Sequence, residues 1–114
     1  MSGEEFYKLT ERRLEKTKYV LIEKGKEYST DENKLHNFDK AAIKSNQSRE
    51  KALKGMLLKH EVSIDDIVEN IDKGKLPSRE LLDEKIGDII NYYILLEACI
   101  VERINNRVES VEKI

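Results

Sequence analysis

Carboxylate and amide side chains at helical spacing are the residues of this chain best suited to bind a metal ion or a polar ligand. Glu84 and Asp88 are four residues apart, and Asn91 follows three residues later. On a helix, this spacing places the three side chains in one stripe about 10 Å long. Apolar and aromatic residues share that side of the helix, so the stripe borders apolar surface. We expect carboxylates in such a place to be paired or to bind a metal ion.

A second acidic pair, Glu23 and Glu27, lies near the end of the first predicted helix. If the first and last helices are antiparallel neighbours, this pair faces Glu84 and Asp88, and four carboxylates form a cage. Such an oxygen cage suits Mg²⁺, which would also hold the phosphates of a nucleotide. The alternative is that Glu23 and Glu27 are ordinary solvated residues, because acidic pairs at this spacing arise often in a chain with 39% charged residues.

Other residues able to carry chemistry are few. His60 shares a predicted helix face with Leu53 and Leu57, where it is either a hydrogen-bonded core residue or a ligand contact. A modest basic cluster is either a solvated face or a phosphate contact; it consists of Lys40, Lys44, Arg49, Lys51 and Lys54. No motif typical of serine or cysteine nucleophiles, of P-loops or of zinc sites is present in the sequence.

The elements that must position these residues are predicted to be helices. The chain of 114 residues has a single Pro, no Trp and no alternating β-branched runs, which indicates one all-α domain over residues 1–114. We expect a helical bundle of two long helices and two or three short ones, over 4–28, 35–43, 49–60, 63–72 and 77–107. Ser48 and Ser63 are the predicted N-caps of the third and fourth of these helices.

Charge and hydropathy indicate which partners and which cellular compartment to expect for the protein. A net charge of −2 does not predict binding to a nucleic acid polymer. The N-terminus lacks the apolar stretch of a signal peptide, and the longest apolar run, 92–96, is too short to span a bilayer. Cys99 is the only cysteine, which is typical of a buried thiol in a reducing compartment. These features predict a cytoplasmic protein.

The end of the last helix carries a further apolar pattern. Val101, Ile104, Val108 and Val111 are spaced three, four and three residues apart, as in the seam of a coiled coil. A helix that is apolar on two sides needs two partners. We therefore expect residues 101–114 to be an oligomerisation tail and the protein to be a homo-oligomer; the alternative is that this end packs on its own chain.

Three stretches together resemble a known group of proteins. They are Glu27-Tyr28-Ser29 with Leu35-His36-Asn37-Phe38-x-x-Ala41-Ala42, then Leu58-Lys59-His60-x-x-Ser63, then Glu84 to Tyr92. In this order and spacing, Val20–Ala98 resembles small phage-encoded proteins grouped as nucleotide-modification-associated domains. Those proteins are similar to the all-α nucleoside-triphosphate pyrophosphohydrolases of MazG type.

The resemblance implies a Mg²⁺ site built from an EExxE motif and an ExxD motif. Asp88 matches the aspartate of ExxD, although Glu84 precedes it by four residues rather than three. EExxE is not present as such, and Glu23 and Glu27 are its nearest substitutes. The scaffold is therefore expected either to hydrolyse a nucleotide or to bind one without hydrolysing it.

Three functions follow from these features. The first is a phage nucleotide-handling enzyme that hydrolyses (d)NTPs in the host cytoplasm, with Mg²⁺ on Glu23, Glu27, Glu84 and Asp88, and with Glu84 and Asp88 catalytic. Its ligand contacts would be Asn91, Lys59, His60, Tyr28 and Asn37. The second is a non-catalytic protein that sequesters a nucleotide signal of host defence. The third is a helical interaction protein without a ligand.

Overall fold

Helices make up the fold, in agreement with the all-α prediction. The computed structural model describes residues 1–27 and 33–112, with 26, 27 and 108–112 described by their backbone only. The helices are α1 (Gly3–Lys18), α2 (His36–Ser45), α3 (Arg49–Asp72) and α4 (Arg79–Glu112). Within those two ranges there is no strand, and no helix is long and apolar enough to cross a membrane.

Serine side chains begin three of the helices. The hydroxyl groups of Ser2, Ser48 and Ser78 each accept a hydrogen bond from the backbone N–H three residues later, which satisfies an otherwise unpaired donor of the first turn. Ser48 is thus confirmed as an N-cap. Left-handed residues follow two of the helices: Asn46 (φ 52°) ends α2, and Gly74 (φ 82°) follows α3. The predicted helix end at residue 72 is confirmed.

The third and fourth predicted helices are one continuous helix. We predicted a break near residue 61 and a new N-cap at Ser63, and both predictions are wrong. The Ser63 hydroxyl donates a hydrogen bond to the backbone carbonyl of Lys59, so it lies inside α3 rather than before a helix. The sequence of α3 contains no proline, and its glycine, Gly55, costs about 1 kcal/mol, which tertiary packing can offset.

The first helix changes its winding before the predicted end at residue 28. After Lys18 the chain forms a π-helical turn over Tyr19–Glu23 and a 3₁₀ turn over Lys24–Glu27. A π-helical turn has more residues per turn and re-aims the side chains that follow it. An apolar stripe along the predicted helix 4–28 therefore does not stay in register after Lys18.

The two longest helices, α3 and α4, form an antiparallel hairpin. Arg49 and Glu102 are paired at one end (2.9 Å), and His60 lies beside Asp88 further along. α2 packs over the start of α3. The small core lies between these three helices and contains Leu35, Leu53 and Cys99, of which the last two are fully buried. Burial raises the pKa of the Cys99 thiol, consistent with an unreactive cysteine.

α1 lies along the first half of α4, and the two helices run in the same direction. Arg13 contacts Asp83, whereas Val20, in the π-helical turn that follows α1, lines the same groove as Ile94, later in α4. The first and last helices are thus neighbours, but they are parallel. The antiparallel arrangement on which the four-carboxylate cage depended is not the one found.

Candidate functional site

Two cavities meet at Asn91 in the middle of α4. The first, here called the groove, has a volume of about 730 Å³ and lies between the π-helical turn, α2 and α4. The second, here called the cleft, has a volume of about 610 Å³ and lies between α1 and α4. Asn91 lines both cavities. The groove and the cleft are therefore adjacent, with Asn91 at their junction.

Aromatic rings form one wall of the groove. The rings of Phe38 and Tyr92 meet edge to face, with centroids 6.5 Å apart. On its other side Tyr92 lies against the His60 ring, at 4.7 Å between centroids and a tilt of 34°. Burial and the nearby charge of Asp88 raise the pKa of Tyr92, so its hydroxyl stays neutral. The groove therefore offers a flat, uncharged aromatic surface with contacts that fix its position.

Two buried polar atoms near the junction have no hydrogen-bond partner among the described residues. They are Oγ1 of Thr17 and Oδ1 of Asn91. Both residues are more than nine-tenths buried, at 8% and 9% exposure, and both line the cleft. An unpaired polar atom in such a place costs about 1–3 kcal/mol. The fold holds these atoms in place without satisfying them, which is the arrangement expected of a ligand site.

Asp83 lies at the far end of the cleft, and four basic side chains surround it. Arg12 Nη2 and Lys16 Nζ lie 2.8 Å and 3.0 Å from its Oδ2, and Arg13 Nη2 lies 3.3 Å from its Oδ1. Arg79 Nε lies 3.5 Å away on the same helix. The hydrogen bond from Lys16 and the positive charges hold the pKa of Asp83 below its usual range. This basic cluster attaches α1 to α4.

Positive and negative side chains are equally numerous around the cleft. The basic residues that line it are Arg12, Arg13, Lys16 and Lys24, and the acidic ones are Glu15, Asp83, Glu84 and Asp88. The electrostatic potential inside the cleft is therefore weak overall, and its sign differs between the walls of the cleft. Such a lining suits a ligand that carries one or two charges and several polar groups, rather than a highly charged anion.

The predicted stripe of Glu84, Asp88 and Asn91 does line one cavity together. Its members differ in their partners, however. Glu84 is 63% exposed and lies near Lys85 (3.9 Å), whereas Asp88 Oδ2 lies 3.5 Å from His60 Nδ1. His60 is largely buried, with 15% of its side chain exposed, and it links α3 to α4 behind the Tyr92 ring.

The second acidic pair does not join the first in the described part of the chain. Glu23 is not among the described residues that line the cleft together with Glu84 and Asp88. In the same ranges no group of three or more His, Cys, Asp or Glu side chains is arranged to hold a metal ion. The side chain of Glu27 lies outside the described residues. Mg²⁺ binding stays a prediction.

The remaining predicted ligand contacts lie in different places. Asn37 lines the groove, whereas Lys59 is on the exposed face of α3. Tyr28 lies outside the described residues. In the predicted basic cluster, Arg49 binds Asp39, Glu102 and the Cys99 carbonyl. Arg49 therefore joins α2, α3 and α4 and is not available for a phosphate.

Sequence reasoning missed Thr17 and Asp83. Thr17 belongs to the apolar stripe predicted for α1, and its polar atom gave no separate signal. Asp83 is one residue before the predicted stripe, and its basic partners on α1 are some seventy residues away in sequence. The three basic residues Arg12, Arg13 and Lys16, close together in α1, were the available signal for a distant carboxylate.

Comparison with known protein families, characterised proteins and solved structures finds no match to this chain. The geometry at Asn91 therefore carries the functional interpretation, and the resemblance to nucleotide-modification-associated domains stays a prediction.

Proposed function

We propose that the protein binds a nucleotide with few phosphates, base in the groove and phosphate in the cleft, without hydrolysing it. The observation that carries the proposal is the buried, unpaired Oδ1 of Asn91 at the junction of the two cavities. A ligand that supplies an N–H donor there removes an existing cost of about 1–3 kcal/mol. This contribution to the binding free energy is specific, because only a ligand with a hydrogen-bond donor in this position obtains it.

The groove has the chemistry that recognises a base. A base stacked on the Tyr92 ring gains about 1–3 kcal/mol, and every base offers a flat face. An exocyclic amine of the base can donate to Asn91 Oδ1, while Asn37 lies further along the same groove. Aromatic stacking combined with amide groups is the usual way in which proteins read an unpaired base.

The cleft supplies cations for a small phosphate group. Arg12 is 47% exposed and Lys16 is 43% exposed, so both can turn towards a ligand while Arg13 still holds Asp83. Because the acidic and basic residues of the cleft balance, the cleft gives a triphosphate little net attraction to offset the loss of its hydration, whereas a monophosphate or a cyclic phosphodiester has less hydration to lose. The proposed ligand therefore carries one or two negative charges.

Binding without hydrolysis accounts for the carboxylates better than catalysis does. Asp88 lies next to His60, and Glu84 lies next to Lys85, so neither joins a third acidic group in the described residues. Hydrolysis with Mg²⁺ is the second candidate, because Glu84 and Asp88 share a wall of the cleft. A binding protein that does not turn over its ligand is suited to sequester a nucleotide signal, as the resemblance to phage proteins implies.

Isothermal titration calorimetry with nucleoside monophosphates and cyclic nucleotides, each with and without Mg²⁺, tests the proposal. We expect one of these ligands to bind without Mg²⁺ and the variant Asn91→Leu to bind it at least about tenfold more weakly. The control is Asn70→Leu, which changes an exposed Asn on α3 and should bind like the wild type.

Chromatography of the ligand after incubation separates the two candidates. A nucleoside triphosphate is incubated with the protein and Mg²⁺ for this purpose. Recovery of the intact triphosphate supports binding without hydrolysis, whereas conversion to the monophosphate with release of pyrophosphate contradicts it and supports the hydrolase. Equal affinity of the wild type and Asn91→Leu removes the site at Asn91. The absence of binding to any nucleotide overturns the proposal and favours the interaction protein.

A further inference from the structure

A third cavity, here called the basic cavity, lies between α1 and α4 next to the cleft. Its volume is about 420 Å³, within the range of small-molecule sites. It shares four charged residues with the cleft, all of them members of the basic cluster around Asp83. The residues that line the basic cavity and not the cleft are Leu9, Arg79, Leu82, Ile86 and Ile90. The two cavities therefore differ in the chemistry that they offer to a ligand.

The lining of the basic cavity carries an excess of positive charge. Each of its four basic side chains contacts Asp83, which is the only carboxylate in this lining; they are Arg12, Arg13, Lys16 and Arg79. Four positive charges against one negative charge leave a net charge of +3, whereas the charges of the cleft balance. Like charges held this close repel one another, so an added anion lowers the electrostatic energy of the cluster.

Arg79 and Arg12 are the side chains best placed to contact such an anion. They are 56% and 47% exposed, and the contact of Arg79 with Asp83, at 3.5 Å, joins residues four apart on one helix. Exposed ion pairs of this kind contribute little to stability, so Arg79 can turn to a ligand without loosening α1. A guanidinium group matches a carboxylate in shape, and Asp83 shows that a carboxylate fits among these side chains.

An apolar row follows Arg79 along α4. Leu82, Ile86 and Ile90 come after it at intervals of three, four and four residues, so the four side chains share one face of the helix. The row from Leu82 to Ile90 is about 12 Å long, which is similar to the length of a medium aliphatic chain. Leu9 of α1 lines the same cavity. The basic cavity therefore offers a cation at one end of an apolar row.

We propose that the basic cavity binds a medium-chain aliphatic carboxylate, with the carboxylate on Arg79 and Arg12 and the chain along Leu82, Ile86 and Ile90. The excess positive charge favours an anion, and the apolar row favours an aliphatic chain over a second polar group. This inference does not rest on the proposed nucleotide site, because neither Arg79 nor the apolar row lines the cleft.

Isothermal titration calorimetry of the full chain with octanoate tests the proposal. We expect one octanoate to bind per chain. Acetate, which lacks the chain, and octanol, which lacks the charge, should each bind at least about tenfold more weakly. Arg79→Gln should weaken octanoate binding about tenfold, because it removes the cation and keeps a polar side chain. The matched control is Arg107→Gln, at an exposed position of α4 outside the cavity, which should bind octanoate like the wild type.

A second variant tests the contact with the chain. Leu9 is 38% exposed, so Leu9→Ser should fold normally, with an unchanged circular dichroism spectrum, and should bind octanoate several-fold more weakly. Four results would overturn the proposal. They are no saturable binding of octanoate, several octanoates per chain, equal affinity for octanol and octanoate, and wild-type affinity in Arg79→Gln. Several octanoates per chain would indicate adsorption to exposed apolar surface, and wild-type affinity in Arg79→Gln would place the ligand elsewhere.

Discussion

Asp83 and Asn91 lie eight residues apart on α4 and both face α1, yet their surroundings are opposite. Asp83 has four basic partners within 3.5 Å, and its pKa is lowered by them. Asn91 is 9% exposed, and its Oδ1 has no partner among the described residues. The same pair of helices thus contains one polar cluster that is fully paired and one polar atom that is not.

The difference separates a structural contact from a candidate binding site. A carboxylate with several charged partners holds two helices together, and the less exposed Arg13 keeps that contact even where Arg12 and Lys16 turn to a ligand. A buried amide oxygen without a partner lowers the free energy of unfolding. Such an oxygen brings no benefit unless another molecule donates a hydrogen bond to it. We therefore assign the attachment of α1 to Asp83 and the binding of a ligand to Asn91.

The largest effect is expected from Asp83→Asn, which removes the charge at the centre of the basic cluster. Hydrogen bonds to charged groups contribute about 1.5–3 kcal/mol, so we expect the free energy of unfolding at neutral pH to fall by about 2 kcal/mol. Urea unfolding at one fixed protein concentration measures this change. The control is Glu97→Gln on the exposed side of the same helix, which should change stability by less than about 0.5 kcal/mol.

The pH dependence of the Asp83→Asn effect sharpens this test. The pKa of Asp83 is lower in the folded protein than in the unfolded chain, so its contribution is complete above the unfolded value of about 3.9. It is lost as the pH falls through the lower, folded pKa. The difference between the wild type and Asp83→Asn should therefore shrink towards zero as the pH falls through that lowered pKa. A difference that persists unchanged in acid would show that the charge of Asp83 does not hold α1.

A smaller effect, of the opposite sign, is expected at the unpaired hydroxyl of Thr17. Thr17→Val keeps the shape and the β-branch but removes the buried polar atom, so the free energy of unfolding should rise by about 1 kcal/mol. The control is Thr10→Val, because the Thr10 hydroxyl donates to the Phe6 carbonyl (2.9 Å) and its removal brings no such gain. Equal effects of the two substitutions in thermal unfolding would show that Thr17 has a partner in solution.

The sequence allowed the helices to be predicted because their signals are local. A serine before a helix and a glycine after one depend only on neighbouring residues, and the start after Ser48 and the end at residue 72 were predicted correctly. Ser63 was misread because the same residue that caps a helix can also donate to the carbonyl four residues earlier inside it.

The site was predictable only in part. The stripe of Glu84, Asp88 and Asn91 follows from spacing on one helix, and it does line the cleft. The direction of α1 relative to α4 depends on long-range packing, which spacing along one helix does not encode. The parallel direction separates Glu23 from Asp88 and brings Thr17 to the cleft, and neither result was available from local pattern.

The smallest net change in the free energy of unfolding is expected at Gly87, which lies between Asp83 and Asn91 on α4. The Arg13 guanidinium passes over Gly87, and a Cβ there would lie 2.9 Å from Arg13 Nη1. Ala in place of Gly favours a helix by about 1 kcal/mol, but the displaced Arg13 loses its hydrogen bonds to Asp83, a loss of similar size. Gly87→Ala alone should therefore change the free energy of unfolding by less than about 0.5 kcal/mol.

Removal of Arg13 should reveal the stabilisation by Ala at position 87, which the displaced Arg13 otherwise offsets. In an Arg13→Ala background nothing opposes the added Cβ, so Gly87→Ala should stabilise the protein by about 1 kcal/mol. Urea unfolding of the four proteins of this cycle measures the coupling between the two residues. If Gly87→Ala has the same effect in both backgrounds, the close approach of Arg13 does not exist in solution. The attachment of α1 would then depend on the more exposed Arg12 and Lys16, the two cations that the proposed ligand would draw away from Asp83.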